Sequence, residues 1–322
     1  GEHIITFTIP ADATAGQTWV RFRASEPSGI DSFGGGGEGE VEDYQITIVE
    51  ADTSYLHYPS ENQFVTLAYE DRWPEVGDYD FNDVAMLYRV TQVIQYNPTT
   101  QTNQIVRFDI TGKLLAYGAS YSNGFAIQIP EISRSDINEG LITLSYNGKS
   151  ESNSNVLEVG QDKAVVIISN NLKDNIERGC PFGYYKTQSG CDDTESFTFT
   201  VQVPLTNPIE LSSMPAMPLD PFIFATDNRQ RNDIFGNEYP GRRLEVHLAD
   251  KPNTALAVTL GGNSLFTTYD DASNISSSFY RTSLNLPWAI EVGGEWQVPL
   301  EHVDITVAYP NFRWKSRPRL VH

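Results

Sequence analysis

Val84-Ala85-Met86-Leu87-Tyr88-Arg89-Val90-Thr91-Gln92-Val93-Ile94-Gln95-Tyr96 and, a few residues on, Gln104 to Ala116 read as two long strands. They are rich in the β-branched and aromatic residues that fit a pleated, half-buried surface. The same pattern recurs on either side, at Phe64 to Tyr69, Gly124 to Ile129, Leu141 to Tyr146, Lys163 to Ser169, Glu195 to Val203 and Leu244 to His247. Helical periodicity is nearly absent; Asp174 to Arg178 could make one turn and Pro299 to Tyr309 could hold a short helix. The run from Leu205 to Pro221 carries Pro208, Pro215 and Pro218. Proline cannot donate to a ladder, so this run is expected to be an extended crossover between sheets. No solenoid-type repeat is present.

Ahead of this region, Ile4 to Ile9 and Trp19-Val20-Arg21-Phe22-Arg23 alternate as strands, and the glycine-rich loop Ser32 to Gly37 leads into a third, Glu38 to Val49. Three strands are too few for a sandwich of their own. The expected organisation is therefore a small truncated β-domain over residues 1–50, a linker over 51–54, and a large jelly-roll-like β-sandwich over 55–322. The fold class is all-β.

The 322 residues include 42 acids against 22 bases, a formal charge of -20. That balance argues against nucleic-acid partners, whose recognition leaves a basic footprint. No run approaches the roughly 20 apolar residues of a transmembrane helix, and no signal peptide is visible. The chain reads as a mature or excised piece. Cys180 and Cys191 flank a Gly- and Tyr-rich stretch without C-x-x-C spacing. A disulfide clipping a surface loop is expected, which points to an oxidising, extracellular compartment.

The acids are most informative in Glu70-Asp71-Arg72-Trp73-Pro74-Glu75-Val76-Gly77-Asp78-Tyr79-Asp80-Phe81-Asn82-Asp83. Asp78, Asp80 and Asn82 fall at every second position, which in a loop can turn three oxygen-bearing side chains towards one point. Calcium takes six to eight such hard ligands. The start resembles an EF-hand loop, but Asp83 stands where the glycine is needed and Arg89 where the bidentate Glu is needed. The expected site is thus another kind of calcium loop, with Asp78, Asp80, Asn82 and Asp83 as ligands. Glu70, Asp71, Asp270 and Asp271 are candidates to complete it. The alternative is an Asx-rich turn whose side chains cap their own backbone. A second candidate metal cluster is Glu40, Glu42 and Asp43, next to Glu38; a solvated strand start explains it equally well.

Nucleophilic catalysis finds no support. No G-x-S-x-G elbow is present, and His3, His57, His247, His302 and His322 are scattered without ligand spacing. Gly261-Gly262-Asn263 is a turn, since neither Lys-Ser/Thr nor a helix follows. Tyr184, Tyr185, Trp288, Trp296 and Trp314 could form a sugar-stacking platform, against core packing for the tryptophans.

Two resemblances follow. Trp19-Val20-Arg21-Phe22-Arg23 with Gly39-Glu40-Val41-Glu42-Asp43-Tyr44 resembles the C-terminal part of the GEVED domain, a β-rich module of secreted bacterial proteins. Residues from about 55 to 315 resemble the LruC domain of bacterial extracellular proteins. The segments that carry this are Glu70 to Pro74, Gly77 to Asp83, Ala116 to Ala119, Asn123 to Phe125, Glu245 to Asp250, Leu286 to Ile290, Pro299 to Thr306 and Tyr309 to Phe312. The resemblance implies secretion, β architecture and an accessory role in large surface proteins, and brings no catalytic activity.

The expected function is a calcium-stabilised, non-catalytic structural or adhesion module of a bacterial surface protein, with one or more Ca2+ ions. Its partners would be other domains of that protein, or further copies of itself. The alternatives are a calcium-dependent domain binding a glycan or a peptide, and a fibre subunit that polymerises by strand addition.

Overall fold

The computed structural model describes residues 9, 13, 16–25, 39–48, 53–152, 155–177, 180, 183–191, 197–226, 240–257, 259–260, 263–274 and 278–312. Residues 4–8 of the strand expected over 4–9, the loop 32–37, Glu38, His3, His322, Trp314, Gly261, Gly262 and the start of the strand expected from Glu195 lie outside them, and Ile9 itself is not in a strand. The chain divides into two units, Gly1–Asp52 and Thr53–His322.

In the first unit, β1 (Gly16–Ser25) and β2 (Gly39–Ile48) form an antiparallel hairpin in which Gly16 faces Ile48 and Ser25 faces Gly39. Arg21 grips Asp43 across the pair with two hydrogen bonds of 2.7 and 2.8 Å.

The second unit begins with β3 (Thr53–Tyr58), which starts inside the stretch expected as linker. There follow β4 (Val65–Tyr69), β5 (Val84–Asn97), β6 (Thr102–Ala116), β7 (Asn123–Ser133), β8 (Thr143–Tyr146), β9 (Lys149–Ser150) and β10 (Lys163–Ser169). The later strands are β11 (Thr198–Glu210), β12 (Asp220–Ala225), β13 (Glu245–His247), β14 (Thr259–Leu260), β15 (Asn263–Ser264) and β16 (Ala289–Gly293). A one-turn helix, Ile305–Ala308, lies within the expected helical stretch, and a 3-10 turn occupies Leu172–Asn175.

One sheet has the order β16-β4-β5-β6-β11-β8-β9, with β3 pairing the second half of β5. The other has the order β10-β7-β12-β13. Alternate side chains of the two close a single core: Leu67, Tyr69, Met86, Tyr88, Phe108 and Ile110 from the larger sheet, Phe125, Ile127, Val166 and Ile223 from the smaller. The fold is an all-β sandwich.

The opposite face of the larger sheet is covered as well. Ala68, Ala85, Ala116, Ile290 and Val292 are buried there beneath Phe81 and Ile305, with Trp296, Tyr309 and Phe312 packed alongside. All five residues of β4 are therefore buried. Their run Val-Thr-Leu-Ala-Tyr is nearly continuous in hydrophobicity, as expected of a strand covered on both faces.

The proline run differs from expectation. Pro204 is paired with Arg107, and β11 continues to Glu210 through an irregularity between Pro204 and Ile209. The register with β8 covers only Phe199 to Gln202. The proline-containing half of β11 thus lies beyond that ladder, where a missing donor is tolerated. The crossover to the smaller sheet is confined to the residues between Glu210 and Asp220.

Candidate functional site

The segment between β4 and β5 is built around two backbone irregularities. Tyr79 and Phe81 take left-handed conformations, with φ of 57° and 53°. Such conformations cost of order 1–3 kcal/mol each for non-glycine residues and cluster where function or packing enforces them. Here Phe81 is fully buried against the outer face of the sheet, and the Tyr79 carbonyl accepts the Ile305 amide at 2.8 Å. The curl brings Asp78 and Asp80 together on one side.

Asp80 is the hub. Its Oδ1 accepts the Asn82 amide at 3.2 Å and its Oδ2 accepts the His302 amide at 2.8 Å. Asp78 Oδ2 lies 2.8 Å from His302 Nδ1, and Asp78, Asp80 and His302 each bring one ligand atom within 4.8 Å of the other two. Asn82 is fully buried, and its Nδ2 donates to the Pro299 carbonyl at 3.2 Å. That bond fixes the amide so that Oδ1 is the free end. Asn82 Oδ1 has no hydrogen-bond donor although it is buried, and Glu301 Oε2 makes no close hydrogen bond, with the Thr187 hydroxyl the side-chain donor that acts on its carboxylate.

These two oxygens converge. A Cβ placed on Gly118 would lie 2.1 Å from Asn82 Oδ1 and 2.5 Å from Glu301 Oε2. Gly118 is held there by its amide, which donates to the Asn82 carbonyl at 2.8 Å. A buried acceptor without a donor costs about 1–3 kcal/mol, and more when charged. Two acceptors this close oppose one another unless a proton or a cation lies between them.

The charges agree. Burial first, and then the Asp80 carboxylate, push Glu301 up to about 7. Burial and Asp78 push Asp80 up to about 6. His302 is raised above its ordinary value, chiefly by its hydrogen bond to Asp78. A divalent cation would reverse the penalty on the acids, because an opposite charge nearby favours the ionised form.

The other expected ligands lie on the inner side of the loop. Glu70 is fully buried; its Oε1 accepts the Phe81 amide at 2.7 Å, while Oε2, buried beneath Gly77, has no donor. Asp83 Oδ2 accepts the Asp71 amide at 2.7 Å, and Asp71 Oδ2 accepts Asn123 Nδ2 at 2.7 Å. The six side chains expected to share one shell are therefore divided into an outer group and an inner one.

Three sequence expectations need correction. Asp271 is engaged by Trp73 Nε1, Ser273 Oγ and the amides of Thr267 and Ser273, so it caps a turn instead of completing the loop. Asp270 Oδ2 accepts the Val76 amide at 3.0 Å. Of the Glu40, Glu42 and Asp43 cluster, Glu40 and Glu42 share a face of β2 beside Tyr44, whose hydroxyl Glu42 accepts, while Asp43 faces the other side and pairs with Arg21. The aromatic platform is dispersed too. Tyr185 and Trp288 are fully buried, the latter donating Nε1 to the Glu75 carbonyl at 2.7 Å, and Trp296 packs on Tyr309.

The residues missed in the sequence are Glu301, His302 and Gly118. Their only sequence signal was membership of the LruC-like segments.

Cys180 and Cys191 form the expected disulfide. Among the described residues no helix is long and apolar enough to cross a membrane.

Residues 1–47 match the GEVED domain, which marks a chain of extracellular type. No curated protein matches. Among solved structures, a candidate lipoprotein from Bacteroides ovatus is similar at 12% identity and a TM-score of 0.47, over 92% of this chain and 87% of that one. Residues 103–316 match the family described as a domain of unknown function (DUF4842); this is well over half of the chain, which belongs to that family.

Proposed function

We propose that this chain is a calcium-stabilised, non-catalytic structural or adhesion module of a bacterial surface protein, carried beside other domains of that protein. The observation that carries this reading is the pair of buried oxygens, Asn82 Oδ1 and Glu301 Oε2, facing one gap above Gly118. Asp78 and Asp80, gathered nearby with His302 and acting electrostatically on Glu301, would add further oxygen donors of the kind that suits calcium; backbone carbonyls and water would complete six to eight ligands. His302 acts from the rim, as a hydrogen-bond partner of Asp78.

The LruC resemblance over residues 55–315, the GEVED match and the disulfide all support an extracellular or surface location. Binding to the native state alone stabilises by mass action, about 2.7 kcal/mol at a hundredfold excess over Kd. Calorimetry on the full chain should then show Tm several degrees higher in calcium than in chelator. An unchanged Tm sinks the reading.

A further inference from the structure

Two walls of the gap above Gly118 are tied to one short segment. Tyr185 and Tyr117 exchange both backbone hydrogen bonds, at 2.8 and 2.9 Å, which places the residue before Gly118. The hydroxyls of Ser120 and Tyr184 lie 3.2 Å apart, a second tie between the same stretches. Two residues beyond Tyr185, the Thr187 carbonyl accepts the Glu301 amide at 2.8 Å, and the Thr187 hydroxyl acts on the Glu301 carboxylate. Tyr185 and Thr187 are both fully buried. The third wall, Asn82, is joined to Gly118 by the bond from the Gly118 amide to the Asn82 carbonyl.

Little regular structure holds this segment in shape. Its pairing with Tyr117 is an isolated bridge, not part of a ladder, and Gly183, Lys186 and Gly190 all take positive φ. Irregular segments held by few bonds open at low free-energy cost. What closes this one is covalent: Cys180 and Cys191, 11 residues apart, bond to each other on either side of it. Such a link acts by removing open conformations of the loop.

We propose that the Cys180–Cys191 disulfide is a redox control on cation binding above Gly118. Formed, it holds Thr187, and through Thr187 it holds Glu301, against the gap; opened, it releases both. The opening step is a two-electron reduction by an external dithiol. The Sγ–Sγ bond breaks, each cysteine becomes a thiol with a proton given up by the dithiol, and the dithiol closes to its own disulfide. A site built this way fills best where cysteines are oxidised, which is the ordinary condition outside the cell.

The inference rests on the calcium reading of the gap and can fail without it. The test uses the full chain, with calcium as the probe and dithiothreitol as the reductant. Titration calorimetry should show calcium bound about 10- to 100-fold more weakly after reduction, the range seen when groups behind a metal ligand are lost. The double variant Cys180→Ser, Cys191→Ser should match the reduced chain without reductant. Hydrogen exchange read by mass spectrometry in the absence of calcium gives a check that needs no ion. The amides of Tyr117, Tyr185 and Glu301 should lose protection on reduction, while those of β5 keep theirs. Equal affinity before and after reduction, with both thiols shown to be free by titration, overturns the control and leaves the calcium reading standing. Loss of protection in β5 as well also overturns it, since the disulfide would then support the whole fold. No calcium bound by the oxidised chain overturns the calcium reading itself, and the control with it.

Discussion

Replacing His247 by alanine is expected to cost about 3–5 kcal/mol, a large part of the 5–15 kcal/mol that a domain has. His247 is fully buried on β13, with Nδ1 3.0 Å from Asp220 Oδ1 and Nε2 3.0 Å from Glu245 Oε2. Its ring stacks 4.2 Å from Phe222 and 5.4 Å from Tyr280. Without the imidazolium, Asp220 keeps Gln128 Nε2 at 3.0 Å, and Glu245 keeps Arg242 and Thr254. Two buried carboxylates would lose their shared counter-charge. Urea denaturation at pH 6 measures the loss, and a value under about 1 kcal/mol would refute the account.

The same residue sets a pH dependence. Burial alone would lower the pKa of His247, but the charges and hydrogen bonds of Asp220 and Glu245 outweigh it and raise it to about 9 from 6.5. A raised folded value means the stabilisation is complete below pH 6.5 and fades as pH rises through about 9. The stability difference between wild type and variant should therefore shrink across that window. A difference independent of pH would contradict an imidazolium at this position.

Gly118→Ala is the second large effect. The added methyl would enter the gap between Asn82 Oδ1 and Glu301 Oε2. Glu301 Oε2 ends a longer side chain that can swing aside, whereas Asn82 is buried and held by the Pro299 carbonyl, so the methyl must displace that amide; Gly118 is not among the residues in the left-handed region. The calcium-free protein should lose about 1–3 kcal/mol to overpacking, and calcium affinity, measured separately on the folded variant, should fall about 10- to 100-fold, the scale seen when a metal site's support is disturbed. Calorimetric titration with and without chelator separates the two quantities. Wild-type affinity in the variant would place the ion elsewhere.

How much of this was legible depends on distance along the chain. The long strands were readable because alternation is local, and β5 and β6 sit where it placed them. The every-second-position spacing also pointed to Asp78 and Asp80, which the structure brings within 4.8 Å of one another. β12 was missed because Asp220-Pro221-Phe222-Ile223-Phe224-Ala225 is buried on both faces and follows prolines, so neither alternation nor a turn announced it. Glu301 was illegible for another reason. It reaches the loop from near the opposite end of the unit, through a backbone bond from its amide to the Thr187 carbonyl at 2.8 Å. Asp270 and Asp271 looked like better candidates because paired acids stand out; the structure spends them on turn amides. Histidine spacing misled in the same way, since His302 finds Asp78 only after the sandwich has closed.

That separation between Asn82 and Glu301 also has a kinetic side. A contact between segments so far apart in sequence can form only when the sheets and the disulfide-bearing loop between them are already in register. An ion held there would be absent from the folding transition state, the situation in which added stability appears in the unfolding rate alone. Calcium bound above Gly118 would then leave the speed of folding unchanged and lengthen the lifetime of the folded molecule, which for a protein working outside the cell is the quantity that governs survival.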